Sequence, residues 1–333
     1  MKNLKAAVIG LGVGEQHVRS YQSIEGVEVT AICDIDTTRL EEVGNRYGIG
    51  RRETDFRRLT EDPDIDVISI CSYDNFHAEQ AVSAFRHEKH VMIEKPIALY
   101  RQDAEAILRA QQDSKRLISS NLILRQSPRF IEVKRRIEAG KLGDIYYMEG
   151  DYIHQILWKL TEGWRGKMDF YSVVYGGGIH LIDLMRWLAG TEVESVSGMS
   201  HDRLVQGSDY RYYDSAVSLL RFENGAMAKN FTTLGPQHPF FHSLKVFGTK
   251  ATFVNQLGDG DWFSDDVPEN REAMTQPYPG MEKGDLLPEF IDAIRGDREP
   301  IVGATDVFRV MDICLAVHES IDTGQPVSIN YLH

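Results

Sequence analysis

A glycine-rich turn is the first part of the chain suited to chemistry. The apolar run 5–9 ends in Gly10, and an amphipathic pattern starts at Glu15. Glycines there let the backbone approach a pyrophosphate, which rests on the unpaired N–H groups of the helix that follows. The usual third glycine would stand at Glu15, so the motif is imperfect and a plain tight turn is the alternative. The residues predicted to hold a dinucleotide are Gly10, Gly12, Val13 and Gly14.

Asp34 ends the second apolar run and is the residue predicted to choose between dinucleotides. A carboxylate at this point bonds the ribose hydroxyls of NAD and repels the 2′-phosphate of NADP, so NAD is favoured and NADP is the lesser alternative. Two other interpretations stay open. Asp34 or Asp36 caps the next helix, or Arg39 accommodates a phosphate.

Two polar segments follow later apolar runs, 72–77 and Glu94-Lys95-Pro96. In an open parallel sheet, ligands bind at the carboxyl ends of the strands, which is where both segments fall. Removing hydride from a carbinol requires the hydroxyl proton to leave, and a buried amine beside a positively charged nicotinamide has a lowered pKa. Lys95 is therefore a candidate base; its alternatives are a pair with Glu94 or a solvent-exposed position.

Alternating elements must position these groups. Strands followed by helices at this spacing predict right-handed crossovers and a parallel, doubly wound sheet, an α/β Rossmann domain over residues 1–121. The predicted strands are 5–9, 27–33, 67–71, 90–93 and 116–119, and the predicted helices are 15–24, 37–47, 76–87 and 102–114.

The pattern changes after residue 121 and predicts a second, α+β domain over 122–333. Its large sheet is expected to be mainly antiparallel, and its last helices are free to pack back on the first domain. Residues 255–284, rich in glycine, proline and aspartate, are predicted to form a long surface loop. The expected strands are 144–154, 193–203, 212–222, 226–233 and 242–247, and the expected helices are 128–139, 180–188, 286–295 and 305–323.

Composition restricts the partners. The formal net charge of -13 repels phosphate backbones and anionic lipid, so neither nucleic acid nor a membrane surface is an expected partner. The sequence contains no run of about 18 apolar residues, so no membrane span is predicted. Three widely spaced cysteines indicate buried free thiols in a reducing compartment, here the cytoplasm, and no residue set has the spacing of a metal site.

Together these motifs resemble the glucose-fructose oxidoreductase / inositol dehydrogenase / rhizopine catabolism (Gfo/Idh/MocA) family, through nearly the whole chain. The resemblance implies that Lys95 is catalytic, often with a cis bond before Pro96. It also implies that His180 contacts substrate hydroxyls and assists proton transfer. The segments that carry it are the glycine turn, Asp34, Glu94-Lys95-Pro96, Arg125, 140–143, 177–183 and the closing helices.

The sequence departs from the family at two places. Many relatives carry an aspartate four residues before the histidine, where this chain has Gly176. Asp183, one turn beyond His180, is predicted either to orient the imidazole and share its catalytic role or to be a helix-start charge. The family loop Thr-Pro-Asn-x-x-His implies cofactor contacts for Ser72, Tyr73 and His77, although Tyr73 and Asp74 replace its proline and asparagine. The Glu-Lys-Pro segment implies further cofactor contacts for Glu94 and Lys95.

Aromatic and cationic side chains of the second domain are candidates for a sugar pocket. Aromatic faces stack on sugar C–H surfaces and arginines fork onto carboxylate or phosphate. The alternative is that the aromatics cover the sheet and the arginines are solvated. The predicted substrate residues are Arg125, Tyr152, Trp164 and Arg165 together with His180, and further candidates are His154, Trp158 and Tyr175.

The resulting expectation is an NAD-dependent oxidoreductase acting on a hydroxyl or keto carbon of a sugar, cyclitol or nucleotide-linked sugar. The family resemblance implies a homodimer or homotetramer. A second hypothesis is a non-catalytic dinucleotide- or sugar-sensing regulator on the same fold. Gly176 favours the regulator, and the presence of both Lys95 and His180 disfavours it.

Overall fold

The computed structural model describes residues 3–332 and divides the chain into two compact units. The first unit contains residues up to Ile123, then Glu282–Met311, and Leu332. The second contains Leu124–Met281 and Asp312–Tyr331. The first unit is therefore discontinuous in sequence, because the chain returns to it after residue 281.

The first unit is built on six parallel strands in the order β3-β2-β1-β4-β5-β6. This is the predicted doubly wound Rossmann sheet. Its strands are β1 (Leu4–Ile9), β2 (Val27–Cys33), β3 (Arg51–Glu53), β4 (Val67–Ile70), β5 (His90–Ile93) and β6 (Ile118–Ser120). Its helices before residue 124 are α1 (Gly14–Ser23), α2 (Thr37–Tyr47), α3 (Arg57–Thr60), α4 (His77–Arg86) and α5 (Arg101–Ser114).

Local sequence explains these elements. All four residues of β4 are buried, as expected for a strand covered on both faces by crossover helices. Helix α2 begins where the Asp36 carboxylate accepts from the N–H groups of Thr38 and Arg39, and it ends at Gly48, whose φ of 69° suits a glycine cap. These signals fix the carboxyl ends of β2 and β4, where the candidate site lies.

The second unit contains a nine-stranded sheet and confirms the predicted α+β architecture. All its neighbouring strand pairs are antiparallel except β7 with β10, which is parallel. In spatial order the strands are β14 (Glu272–Met274), β13 (Gly260–Phe263), β12 (Thr252–Asn255), β11 (Phe241–Gly248), β7 (Ile145–Ile153), β10 (Met227–Thr233), β9 (Ser215–Phe222), β8 (Val193–His201) and β15 (Val327–Ser328).

The prediction of a surface loop over 255–284 was wrong in part. Strands β13 and β14 extend the sheet there by antiparallel pairing, and Trp262 is only 3% exposed. Their shortness explains the error, because three or four residues between glycines and prolines carry little periodic signal. The short strands β3 and β15 were missed for the same reason.

The remaining helices are α6 (Pro128–Glu138), α7 (Trp158–Thr161), α8 (Ile179–Ala189), α9 (Leu287–Gly296) and α10 (Ala304–Thr323). A π-helical turn, Val174–Gly178, leads directly into α8, which is buried on nearly all sides and ends at Gly190. A π turn of this kind often marks a functional site. The three cysteines are buried free thiols, as predicted.

Candidate active site

The glycine turn of the first unit is held in a conformation that larger residues do not tolerate. Gly10 has a φ of +84°, and a Cβ there would lie 2.5 Å from the backbone of Cys71 and Ser72. A Cβ on Gly14 would lie 2.8 Å from Val8 Cγ1. Gly14 therefore provides the close packing of helix on strand usually given by the third glycine, one position early.

Gly12 differs from its two neighbours. It is exposed, and a Cβ placed on it would meet nothing within 4 Å. No contact with the described residues requires glycine at this position, and the open space leaves room for the close approach of a ligand. The open backbone before the N-terminus of α1 fits a pyrophosphate.

Asp34 lies at the rim of this turn and is half-buried. Its Oδ2 accepts a hydrogen bond from Leu11 N at 2.6 Å, and its Oδ1 accepts one from Asp36 N at 2.9 Å. Asp36, not Asp34, caps α2. The capping alternative therefore applies to Asp36, and Asp34 braces the glycine turn.

Arg39 has protein partners. Its Nε donates to the carbonyl of Leu11 at 3.1 Å, and its guanidinium pairs with Glu15, which also pairs with Arg46. Glu15, which stands where the third glycine is usual, thus pairs with Arg39, the arginine that a phosphate would otherwise attract.

Lys95 follows β5, is half-buried, and is joined to Pro96 by a cis peptide bond, as the family resemblance implies. The preceding Glu94 accepts a hydrogen bond from Asn121 Nδ2 at 2.6 Å. Burial alone would raise the pKa of Glu94, but the positive charges of Lys283 and Lys95 hold it at about 2. A carboxylate therefore stays ionised next to the candidate base.

A buried polar network continues beneath Glu94. His17 Nε2 lies 3.9 Å from Glu94 Oε1, and His17 Nδ1 lies 3.0 Å from Ser69 Oγ, which also contacts the Tyr21 hydroxyl at 3.0 Å. Burial lowers the pKa of His17 to about 4 in spite of Glu94, so the ring is neutral at neutral pH. Sequence reasoning missed this network, although a serine inside the apolar strand β4 was a signal for it.

His77 is fully buried, with both ring nitrogens facing backbone carbonyls. Nδ1 lies 2.7 Å from the Pro96 oxygen and Nε2 lies 3.2 Å from the Ser72 oxygen. The ring therefore ties the end of β4 to the turn after Lys95. This geometry gives His77 a positioning role, and its contact with the cofactor stays a prediction. Tyr73, 41% exposed, remains accessible.

A cluster of imidazole and phenol rings forms the candidate site of the second unit. Tyr152 stacks on His180 with ring centres 6.1 Å apart, and His242 meets both rings edge to face. The Tyr152 hydroxyl lies 2.9 Å from His154 Nδ1. Three candidate residues, Tyr152, His154 and His180, thus form one cluster with His242, centred on strand β7 and helix α8.

The cluster contains residues that sequence reasoning missed. His242 Nδ1 lies 2.7 Å from the Tyr278 hydroxyl, and the half-exposed ring of Phe240 lies 4.0 Å from that of His154. The aromatic run Phe240-Phe241-His242 at the start of β11 was an available signal. Tyr278 lies in the segment that was interpreted as a loop.

Trp164 and Arg165 lie together in the same unit. The Arg165 guanidinium covers the Trp164 ring at 4.3 Å and the Tyr171 ring at 5.7 Å. Burial raises the pKa of Tyr152, which the positive charge of Arg165 partly offsets. These contacts place Arg165 beside the ring cluster, whereas Trp158 is 53% exposed and Tyr175 is buried.

Arg125 and Asp183 form a buried ion pair. Arg125 Nε donates to Asp183 Oδ2 at 2.9 Å and its Nη2 donates to Oδ1 at 2.6 Å. Their side chains are 3% and 1% exposed. Because each carboxylate oxygen accepts from this guanidinium, the pair is suited to fixing α8. The catalytic role of Asp183 and the substrate contact of Arg125 stay predictions.

Within residues 3–332, no group of three or more histidine, cysteine or carboxylate side chains is arranged to hold a metal ion. Over the same residues, no helix is both long and apolar enough to cross a bilayer.

The parallel sheet, the glycine turn and the lysine after β5 define a dinucleotide-binding oxidoreductase. The family model described as an oxidoreductase family with an NAD-binding Rossmann fold matches residues 4–122, and the model of the family's C-terminal alpha/beta domain matches residues 134–329. The chain belongs to the Gfo/Idh/MocA oxidoreductase family.

Named relatives span the whole chain. The chain is 25% identical to scyllo-inositol 2-dehydrogenase (NAD(+)) of Bacillus subtilis, over 98% of this chain and 96% of that enzyme. It is 26% identical to myo-inositol 2-dehydrogenase of Thermotoga maritima, over 98% of each chain. Among solved structures, levoglucosan dehydrogenase in complex with NADH has the same fold, with a TM-score of 0.89, 22% identity and coverage of 99% of this chain and 100% of that one.

Proposed function

We propose that this protein is an NAD-dependent dehydrogenase that transfers hydride between the nicotinamide and a CH–OH carbon of a free sugar or cyclitol. The observation that carries the proposal is Lys95, held after β5 next to an ionised Glu94, in the same unit as the glycine turn. The relatives that act on scyllo- and myo-inositol support a small polyol as substrate over a nucleotide-linked sugar.

The cofactor is held mainly by backbone. The N–H groups of Gly12, Val13 and Gly14 at the start of α1 are the proposed pyrophosphate ligands. Gly10 contributes the tight turn beside the pyrophosphate, because its own N–H donates to the Cys33 carbonyl at 2.8 Å. Asp34 accepts from the ribose hydroxyls while its hydrogen bond from Leu11 keeps it in place. Cofactor contacts are also proposed for Ser72 and Tyr73, which lie just after strand β4.

NAD is the proposed cofactor in preference to NADP for two reasons. The Asp34 carboxylate repels a 2′-phosphate. Arg39, the cation best placed in sequence to offset that repulsion, is paired with Glu15 and with the carbonyl of Leu11.

The chain's own residues handle the proton. A bound nicotinamide supplies the hydride acceptor. The positive charge of a bound nicotinamide would favour the neutral form of the Lys95 amine. In that form the amine accepts the proton of the reacting hydroxyl, and the neighbouring Glu94 carboxylate stabilises the ammonium that results. His180, held in the ring cluster by Tyr152 and His242, donates or accepts a hydrogen bond at a substrate hydroxyl.

A second copy of this chain is the proposed macromolecular partner. Met199, Val217 and Leu219 are 78%, 36% and 55% exposed, and cross-strand pairing between β8 and β9 places Met199 opposite Val217. An exposed apolar strip on a sheet face is suited to burial against a partner. Light scattering of the purified protein is expected to give the mass of a dimer or tetramer, and a monomer would contradict this.

The proposed function is tested with purified protein in two steps. Titration with NADH and NADPH, followed by fluorescence, is expected to show tighter binding of NADH. Incubation with NAD⁺ and scyllo-inositol, myo-inositol or levoglucosan is then expected to produce NADH absorbance. Lack of affinity for both dinucleotides would refute the proposal. NADH binding without turnover on a broad panel of sugars and cyclitols would support the regulator, which the absence of an acid at Gly176 favours.

A further inference from the structure

The position of Gly176 is filled by another side chain. Gly176 stands four residues before His180, one turn earlier along the π turn that leads into α8. A Cβ on Gly176 would lie 1.9 Å from the Tyr171 hydroxyl oxygen and 2.8 Å from Tyr171 Cζ. A carbon–carbon single bond is about 1.5 Å long. The Tyr171 oxygen therefore lies close to where the second atom of a side chain at 176 would be.

Tyr171 is firmly held at this place. It is 3% exposed, and the Arg165 guanidinium lies 5.7 Å from the centre of its ring. The next residue, Ser172, is fully buried and its Oγ lies 2.7 Å from the Tyr213 hydroxyl. The phenol is thus buried beside Arg165 and its neighbour Ser172 is anchored, in the unit that contains the ring cluster around His180.

We propose that the Tyr171 hydroxyl is a substrate-contacting group that works with His180, delivered from a neighbouring loop into the space that Gly176 leaves open. The inference rests on the proposed function and adds a residue to it. A phenol both donates and accepts a hydrogen bond and stays neutral at pH 7, whereas a carboxylate in this place would only accept and would add a negative charge. On this proposal, residue 176 is glycine because a larger side chain would collide with Tyr171, and not because a catalytic group has been lost.

The direct test is Tyr171→Phe, which removes the hydroxyl and keeps the ring. With the polyol that the wild-type protein turns over fastest in the panel above, kcat is expected to fall about tenfold or more, as for loss of a hydrogen bond strengthened in the transition state. The dissociation constant of NADH should stay within twofold. Tyr210→Phe is the matched control, because Tyr210 is also a buried tyrosine of this unit and its hydroxyl donates to the Tyr213 carbonyl at 3.5 Å.

An exchange of side chains separates a chemical role from a structural one. Gly176→Asp alone should lose turnover because its Cβ collides with the phenol. Tyr171→Ala alone should lose turnover because no polar group remains. The double variant Tyr171→Ala with Gly176→Asp is expected to recover at least fivefold over Tyr171→Ala, since it returns a polar group to the same space.

The outcomes distinguish the inference from the function on which it rests. If wild-type turnover is measurable and Tyr171→Phe keeps its kcat within twofold, the role of Tyr171 is refuted and the proposed function stands. A fall of equal size in Tyr210→Phe, or loss of NADH binding in Tyr171→Phe, would likewise refute it. If the wild type neither turns over the polyols nor binds any of them calorimetrically in the presence of NADH, both are overturned.

Discussion

The two units surround their candidate catalytic residues with different kinds of polar group. In the first unit Lys95 adjoins an ionised Glu94, whose pKa is lowered to about 2 by Lys283 and Lys95 against the effect of burial. In the second unit His180 lies among imidazole and phenol rings, and the nearby Asp183 is used by Arg125. One unit therefore provides a fixed charge beside the proposed proton acceptor, while the other provides imidazole and phenol groups that can both donate and accept hydrogen bonds.

The largest effect on stability is expected from breaking the Arg125–Asp183 pair. Asp183→Ala leaves a buried guanidinium without its carboxylate, and we expect the free energy of unfolding to fall by about 3–5 kcal/mol. Urea denaturation of the variant and wild type measures this. A loss under about 1 kcal/mol would show that the pair is not the buried anchor of α8 and would favour the predicted catalytic role of Asp183.

The charge state of the first unit's network predicts two separate pH windows. His17 has a folded pKa of about 4 against 6.5 for the free side chain, so the unfolded chain binds the proton more readily. The contribution of neutral His17 to the free energy of unfolding is fully present above pH 6.5. It is lost as the pH falls towards 4, and the loss is up to about 3 kcal/mol. His17→Gln should flatten the unfolding free energy across that window.

Glu94 acts at lower pH in the same assay. Its folded pKa of about 2 lies below the ordinary 4.5, so its contribution is complete above pH 4.5 and is lost as the pH falls towards 2. Glu94→Gln should lower stability at pH 6 and reduce the slope below pH 4.5; the slope that remains comes from other carboxylates with lowered pKa values, such as Glu132. An unchanged slope there would mean that the carboxylate is not held ionised, and the contrast between the units would disappear.

The smallest effects come from a matched pair in the glycine turn. Gly14→Ala puts a methyl 2.8 Å from Val8 Cγ1 and is expected to cost about 1–3 kcal/mol of stability. Gly12→Ala meets no protein atom within 4 Å, so its unfolding free energy should stay near that of wild type while NADH affinity falls. Equal NADH affinity in Gly12→Ala and wild type would count against pyrophosphate binding there.

Sequence reasoning recovered the framework of the first unit because its signals are local. The predicted ranges of β2, α2 and β5 coincide with the observed ones, since apolar runs, the Asp36 cap and Gly48 mark their ends within a few residues. The surroundings of Glu94 were not predictable in this way. His17, Asn121 and Lys283 come from three distant parts of the chain, and only the folded unit brings them together.

In the second unit the family resemblance singled out His180 and the unusual Gly176. It did not show that Tyr171 fills the space beside Gly176. The contact with Tyr171 depends on the π turn, which hydrophobic periodicity does not reveal. The sequence likewise suggested a partner for His180 in Asp183, one turn away, because spacing alone does not show that Arg125 claims that carboxylate.

The central claim, that the amine of residue 95 accepts the substrate proton, is tested most directly with Lys95→Met. We expect NADH binding within twofold of wild type and turnover of the best polyol lowered by about 100-fold or more, the contribution of a positioned general base. Lys115→Met, which removes an exposed lysine of the same unit, should match wild type in both measurements. Wild-type turnover by Lys95→Met would contradict the account.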